Sequence, residues 1–323
     1  MNYKFIRSDI TDPQFNIASE EYLLKHTDGY YVYLWRNSPA VIIGNNQNTL
    51  LEVNLGYAKQ KGVQVVRRLT GGGAVYHDLN NVCYTVIAPY NPNQNNYKAF
   101  TIPVIEFLKS LGVQAEFSGR NDVCIDGKKI SGNAQVVYKD RIMHHGTLLF
   151  DTDLTVLDGV LIPNALKTQS KGIKSNRARV TNIRSHLKED MTCEHFFNQL
   201  CEHMCKSLST YAFTPQDVNA INGLVKEKYS TYEWNVGKSP VGSNRFDARL
   251  SFGTLALTFD LKDGLINNAQ LFGDFFATDG LNEFISNLNG KRFTLQDVTL
   301  ALSGIENFIK GATATELVEK LFG

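Results

Sequence analysis

Arg67 to Asp78 reads RRLTGGGAVYHD. Three consecutive glycines lose more backbone entropy on folding than any other tripeptide, so the triplet calls for a reason. It lies between two strand-like runs, VQVV at Val63 to Val66 and VCYTVIA at Val82 to Ala88, both rich in β-branched residues. Two arginines, Arg67 and Arg68, stand just before it, with Leu69 and Thr70 between. Without Cβ atoms, successive N–H groups can converge into a concave anion site, and the arginines can add charge-assisted bonds, one of them bidentate to a phosphate. The other reading is a flexible connection between strands. The chain has no G-x-x-x-x-G-K-[ST] loop and no strand–GxGxxG–helix unit, which excludes an ordinary P-loop and gives a dinucleotide fold no support.

The rest of the chain fits a folded two-unit protein. It has 323 residues, 43% hydrophobic and 20% charged, with a net charge of +1. That balance supplies no general field for holding nucleic acid, so any anionic ligand needs a local site. No apolar run is long enough for a membrane span, and the charged N-terminus lacks the apolar stretch of a signal peptide. Five cysteines without a CxxC pair suit a reducing cytoplasm. Cys201 and Cys205, four apart, read as small hydrophobes on one helix face.

Asp12-Pro13 opens a capped helix, and Tyr30 to Trp35 and Ala40 to Gly44 read as strands. Val104, Phe107, Leu108 and Leu111 mark a helix stopped by Gly112. Helices are expected around Glu194 to Tyr211 and Pro215 to Lys228. Between Pro163 and Arg184 periodicity fails and cations gather: Lys167, Lys171, Lys174, Arg177, Arg179 and Arg184. On composition this is a solvated loop. GKSPVGSN, Gly237 to Asn244, has linker composition. Beyond it Leu255, Leu257, Phe259 and Leu261 alternate as a half-buried strand, which Asp263-Gly264 turns into a second. The expected division is 1–240 and 245–323. The smaller unit, near the size at which a core becomes marginal, should lean on the larger.

Asp126-Gly127 is a two-residue hairpin signal. It pairs Ile125 with Lys128, Cys124 with Lys129 and Asp122 with Ser131, so Asp122, Cys124, Lys129 and Ser131 should share a face. A lysine and a carboxylate emerging together fit either a surface ion pair or a lysine reaching an anion beside an aspartate placed for a divalent cation. His144 and His145 are neighbours on a strand and point to opposite faces, so they do not chelate one ion. Cys83 lies in an apolar strand, with nothing to mark it as a thiolate.

Taken together, RRLTGGGAVYHD, KISGNA from Lys129 to Ala134, and HHGTLLFDTDL from His144 resemble the lipoate–protein ligase family. WRN at Trp35, SGRND from Ser118, KGIKSNRARVTNI from Lys171 and YEWNVGKSP from Tyr232 extend the likeness over nearly the whole chain. The resemblance implies an α/β (α+β) biotin/lipoate ligase catalytic domain followed by a small α/β C-terminal domain. It implies two reactions: lipoate and ATP give lipoyl-adenylate and pyrophosphate, then the lipoyl group passes to a lysine of an apo lipoyl-domain protein. Such acceptors are the glycine-cleavage H protein or acyltransferase subunits of 2-oxoacid dehydrogenases. On the matching positions, Lys129 is the implied catalytic residue, bridging the carboxylate and the α-phosphate. Arg68, Gly71, Gly72, Gly73, Ala74, Val75, Tyr76, His77, Asn81, Asn121, Asp122 and His145 join it as lipoate and ATP contacts. Asp122 is also the implied partner of magnesium. A labile acyl-adenylate needs a cover, and the Lys167–Arg184 segment is the candidate.

Octanoyl-transferases and lipoyl amidotransferases share this catalytic fold but use a cysteine, expected where this chain has Phe150-Asp151. A biotin ligase would carry a GRGRxG-type loop, absent here. A non-catalytic lipoate-binding protein would not require Arg68, the glycines, Asp122 and Lys129 together.

Overall fold

The computed structural model describes residues 3–93, 96–119, 121–162, 180–237, 244–262 and 265–322. Its largest layer is an eight-stranded mixed sheet. In spatial order the strands are Ser209–Thr210, Tyr3–Arg7, Tyr30–Arg36, Asn81–Pro89, Arg141–Leu149, Lys128–Tyr138, Asp122–Ile125 and Glu116–Ser118. Tyr3–Arg7 and Tyr30–Arg36 run parallel, so a crossover must join them. Helix Pro13–Lys25 makes it. Asp12 accepts from the N–H groups of Gln14 and Phe15, and Pro13 takes the first turn where no donor is needed.

A second sheet of three short strands holds the glycine loop. Ala40–Ile43 is central, parallel to Gln64–Arg67 and antiparallel to Val75–His77. The chain therefore passes from one edge of this sheet to the other. It crosses the end of the central strand so closely that a Cβ on Gly44 would lie 2.0 Å from the Gly72 carbonyl oxygen. Sequence reading ran the triplet directly into Val82 to Ala88; the structure interposes Val75–His77 first.

The third sheet, Asn244–Leu250, Gly253–Lys262 and Leu265–Gly273, packs with the C-terminal helices around Leu255, Phe275 and Ile305. Its strand Gly253–Lys262 is buried on both faces from Gly253 to Phe259 rather than half-buried. Its pairing register slips between Thr258 and Asp260, which leaves Leu261 exposed instead of inward. The unit does lean on the larger one. The Gly72 N–H donates to the Phe275 carbonyl (3.2 Å), the Gly273 N–H donates to the Asn46 carbonyl (2.6 Å), and the rings of Phe276 and Tyr97 lie 5.6 Å apart.

Two expected helices end early. Cys193–Cys205 stops where Lys206 turns extended and Ser207 takes a left-handed φ of 71°, which lets Ser209–Thr210 join the sheet edge. Pro215–Leu224 gives way to a π-helical turn, Val225–Tyr229. No helix among the described residues is long and apolar enough to cross a membrane.

Candidate active site

The two arginines that open the glycine stretch have different fates, because neighbours on a strand face opposite ways. Arg67 is fully buried and turns from the loop. Its guanidinium donates to the carbonyls of Gly44, Asn45, Gln47 and Trp234 and to the Thr49 hydroxyl. It ties the chain together and is not a phosphate ligand, which corrects the sequence expectation for this residue. Arg68 points under the loop. One nitrogen donates to the carbonyls of both Gly71 and Gly73 (2.6 and 2.9 Å), another to Ile42, and Nε to Thr70 Oγ1 (2.8 Å). The Gly71 and Gly73 carbonyls converge on one buried cation, and Gly72 between them sits at φ +88°, a conformation L side chains resist. Burial pushes the Arg68 pKa down to about 10, opposed by the charge of Glu20, so the group stays a cation at neutral pH.

Behind Arg68 runs a directed chain of hydrogen bonds. Thr70 Oγ1, already an acceptor from Arg68, lies 2.8 Å from His145 Nε2, and His145 Nδ1 lies 2.9 Å from Oε1 of the buried Glu20. A carboxylate can only accept, so His145 donates to Glu20 from Nδ1, and its Nε2 meets the Thr70 hydroxyl. Both ring nitrogens are occupied.

Two cavities meet beside this loop. One, of about 120 Å³, brings together Arg68, Gly72, Gly73, Ala74, Val75, His77, Asn121, Lys129 and His145 of the sequence-predicted set. The other, of about 220 Å³, is lined by Gly73, Ala74, Val75, Tyr76 and Lys129 and continues toward Leu157 and Ile162. Lys129 borders both. The first cavity ends in apolar and nearly inaccessible side chains, Ile17, Trp35, Ile42 and Cys83, whereas Gly73, Asn121 and Lys129 are partly open.

Three predicted residues stand outside the cavities. Gly71 is wedged against the small unit: a Cβ there would come 2.2 Å from the Phe275 carbonyl oxygen. Asn81 is one layer behind, donating to Cys83 Sγ at 3.3 Å. Asp122 grips Lys129, Oδ1 to Nζ 2.8 Å. The hairpin carrying this pair turns at Asp126-Gly127 as expected, both at positive φ. A register shift then places Asp122 opposite Gly132 rather than Ser131. Ile130 swings into the core, and Ser131 is buried off the Lys129 face, where it accepts from Asn133.

His144 and His145 do diverge. His144 sits among Tyr84, Tyr97 and Phe100, its pKa pushed down to about 3 by burial. Burial also holds the Cys83 thiol well above its usual pKa, so it is no thiolate. Among the described residues no three His, Cys, Asp or Glu side chains group as a metal cage. Of the predicted cover, 167–179 lie outside the described residues. Its return is described: Val180 pairs with the Lys129 backbone, and Arg184 is spoken for by Asp151 and Asp190.

Trp35, Ile17, Ile42, Cys83, Gly132 and Thr147 line the first cavity without having been predicted as site residues. The first four are ordinary core types, and Gly132 stood within the quoted KISGNA motif without being named as a site residue. Glu20, Thr70 and the Phe275 carbonyl carried no sequence signal.

A mixed α/β layer presenting a glycine loop and a lysine beside a pocket with an apolar wall is the architecture of an enzyme that handles an acid with an apolar tail. The comparisons with known proteins agree. Residues 12–205 match the lipoyl protein ligase A/B catalytic domain, and 239–321 match the bacterial lipoate protein ligase C-terminus. Lipoate-protein ligase LplJ of Bacillus subtilis is 42% identical over 92% of this chain and 92% of its own. LipL1 of P. falciparum, solved in complex with lipoate, superposes with a TM-score of 0.78 at 26% identity, covering 99% of this chain and 98% of that one. A lipoate-protein ligase A solved with ATP gives a TM-score of 0.64 at 26% identity over 73% and 99%. This chain belongs to the lipoate–protein ligase family. Its activity is ATP-dependent ligation of lipoate to protein.

Proposed function

We propose that the reaction is run from the junction of the two cavities. Lipoate lies in the slot that ends at Trp35, the nucleotide lies across Ala74, Val75 and Tyr76, and Lys129 Nζ meets both reacting anions. The observation that carries this reading is that Lys129 borders both cavities. In the first step a carboxylate oxygen attacks the α-phosphorus and pyrophosphate leaves. Two anions are brought together, and the fixed ammonium offsets their charge more in the transition state than before it. Asp122 aims that ammonium, and Asn121 lies beside it in the slot. Arg68 acts from beneath, holding the glycine loop in shape with its remaining charge directed at the phosphates.

Magnesium would fit this donor set only as a companion of the nucleotide: among the described residues two carboxylates are at hand, Asp122 beside Lys129 and Glu52 in the second cavity, and they form no cage of their own. When bound it neutralises charge on the leaving pyrophosphate. In the second step an acceptor lysine amine attacks the acyl carbonyl, a proton leaves the nitrogen, and AMP departs. The acceptors are apo lipoyl domains, of the glycine-cleavage H protein or of 2-oxoacid dehydrogenase acyltransferase subunits, met in the cytoplasm. Residues 1–240 form the catalytic unit and 245–323 the accessory one. No covalent enzyme intermediate is involved, consistent with a protonated Cys83 and with Phe150-Asp151 where transferases carry cysteine.

The decisive assay is lipoate-dependent ATP–pyrophosphate exchange with no acceptor present. Exchange is expected. Its absence, with acyl transfer from an octanoyl carrier in its place, would establish the cysteine-transferase alternative.

A further inference from the structure

The closed end of the slot carries a donor that the protein itself does not use. Its identity follows from a chain of fixed amides. Asn16 donates from Nδ2 to the carbonyls of Ile10 and Arg36 and to Asn37 Oδ1 (3.0 Å), and its Oδ1 accepts from the Tyr33 hydroxyl (2.8 Å). Asn37 therefore presents its amide nitrogen to His77 Nδ1, 3.2 Å away. An amide N–H can only donate, so Nδ1 accepts, and the neutral ring carries its proton on Nε2. That Nε2–H is buried and has no hydrogen-bond partner among the described residues. Burial, with Arg68 and His145 nearby, holds the ring's pKa down to about 3, so it is neutral throughout the working pH range.

Buried N–H groups without acceptors are rare in folded proteins, and each one asks for a partner. His77 is 3% exposed, lines the slot, and holds its ring tilted 6.0 Å from that of the nearly inaccessible Trp35. With the carboxylate held at Lys129, an acid lying in this cavity has Trp35 and His77 as part of its lining. We propose that His77 is a specificity-determining residue: its Nε2–H donates to a ring sulfur at the distal end of the acid, selecting a dithiolane over a plain alkyl tail. This rests on the reading of the cavity as the lipoate slot. A dithiolane sulfur is a weak acceptor but satisfies the donor. An alkyl tail of equal length leaves the N–H buried and dry, and a site built around a donor discriminates against the analogue that lacks the acceptor.

The test compares lipoate with octanoate on the full-length protein. In long-range 1H–15N spectra of histidine-labelled enzyme, His77 should appear as the neutral Nε2–H tautomer. Lipoate should move that resonance, whereas octanoate should move the Ile17 and Ile42 methyl signals and leave it in place. In His77→Phe the ratio of kcat/KM for lipoate to that for octanoate should fall about tenfold, mainly through lipoate. His77→Gln, which can accept from Asn37 and still donate onward, should restore much of it. An Nδ1–H tautomer, equal His77 shifts with both acids, or an unchanged ratio in folded His77→Phe overturns the assignment. If neither acid moves the Ile17 and Ile42 methyls, the slot itself is misplaced and both readings fall. Should His77→Phe not fold, the wild-type spectra decide alone.

Discussion

Lys129→Met separates catalysis from folding, because the structure makes Lys129 matter for one and not for the other. Its side chain is 34% exposed and its only charged contact among the described residues is Asp122, itself 37% exposed. An ion pair this wet contributes at most about 1 kcal/mol, and removing the lysine leaves a carboxylate that water can solvate rather than a stranded buried charge. Methionine keeps the length and apolar stem of the side chain, so the bulged hairpin retains its packing. The unfolding midpoint should shift by only a few degrees. In the reaction, however, the ammonium offsets charge that concentrates as carboxylate and phosphate meet. Deleting such a donor costs about 3 kcal/mol or more, a rate loss of at least about a hundredfold. The assay is lipoate-dependent ATP–pyrophosphate exchange, paired with thermal unfolding of the same preparation. Near-wild-type exchange by a folded variant would refute the placement of Lys129 between the two substrates. A collapse in stability matching the loss of exchange would show that the pair with Asp122 is structural.

Gly72→Val places a branched side chain at φ +88° within about 3.2 Å of Arg68 Nη2; nucleotide affinity should fall well beyond the change in stability, and unchanged calorimetric binding would count against the loop as a nucleotide cradle. Gly71→Ala drives a methyl into the Phe275 backbone, so the small unit should back away and the Gly72 amide should exchange hydrogen faster; unaltered exchange would mean that the contact yields without separating. Cys83→Ser should keep lipoate transfer, since the thiol is protonated and only packs; complete loss in a folded variant would revive a thioester route. His77 and His144 both titrate near 3 when folded and near 6.5 when unfolded, so the unfolded chain binds more protons between those limits. Stability is then full above about pH 6.5 and declines as pH falls toward 3, by about 2 kcal/mol per group at pH 5. Urea unfolding at pH 7.5 and 5 measures it, and a flat profile would rule out two buried neutral imidazoles.

Local rules and tertiary accidents divide what was readable in this chain. The turn at Asp126-Gly127 was legible because a two-residue hairpin needs positive φ at both positions, and the divergence of His144 and His145 was legible because strand side chains alternate. The register beyond the turn was not. Whether Ile130 enters the core and displaces Ser131 depends on Val123 and Phe107 having left room for it, and neither leaves a mark on the local sequence. Likewise alternation says that Arg67 and Arg68 face apart, but not which one meets the carbonyls of Gly44, Asn45 and Gln47. Those acceptors exist as a cluster only once the loop after Ala40–Ile43 has folded.

The same distinction explains why the resemblance named the slot but not its energetics. Motifs report residue types that a reaction needs, so Lys129, Asn121 and the glycines surfaced together. The parts that hold them do not recur as motifs. Glu20 sits mid-helix, where a charge ordinarily marks the solvent face, yet it is 1% exposed. It can be there because the Thr85 hydroxyl and the His145 N–H satisfy it, and because the buried positive charge of Arg68 lies two hydrogen bonds beyond the imidazole. Each buried charge makes the other tolerable, and the glycine carbonyls complete the account on the Arg68 side. The triplet at Gly71 to Gly73 is therefore bare for two reasons that a single sequence cannot separate: its carbonyls must crowd one guanidinium, and the backbone of Phe275 must approach from the opposite side.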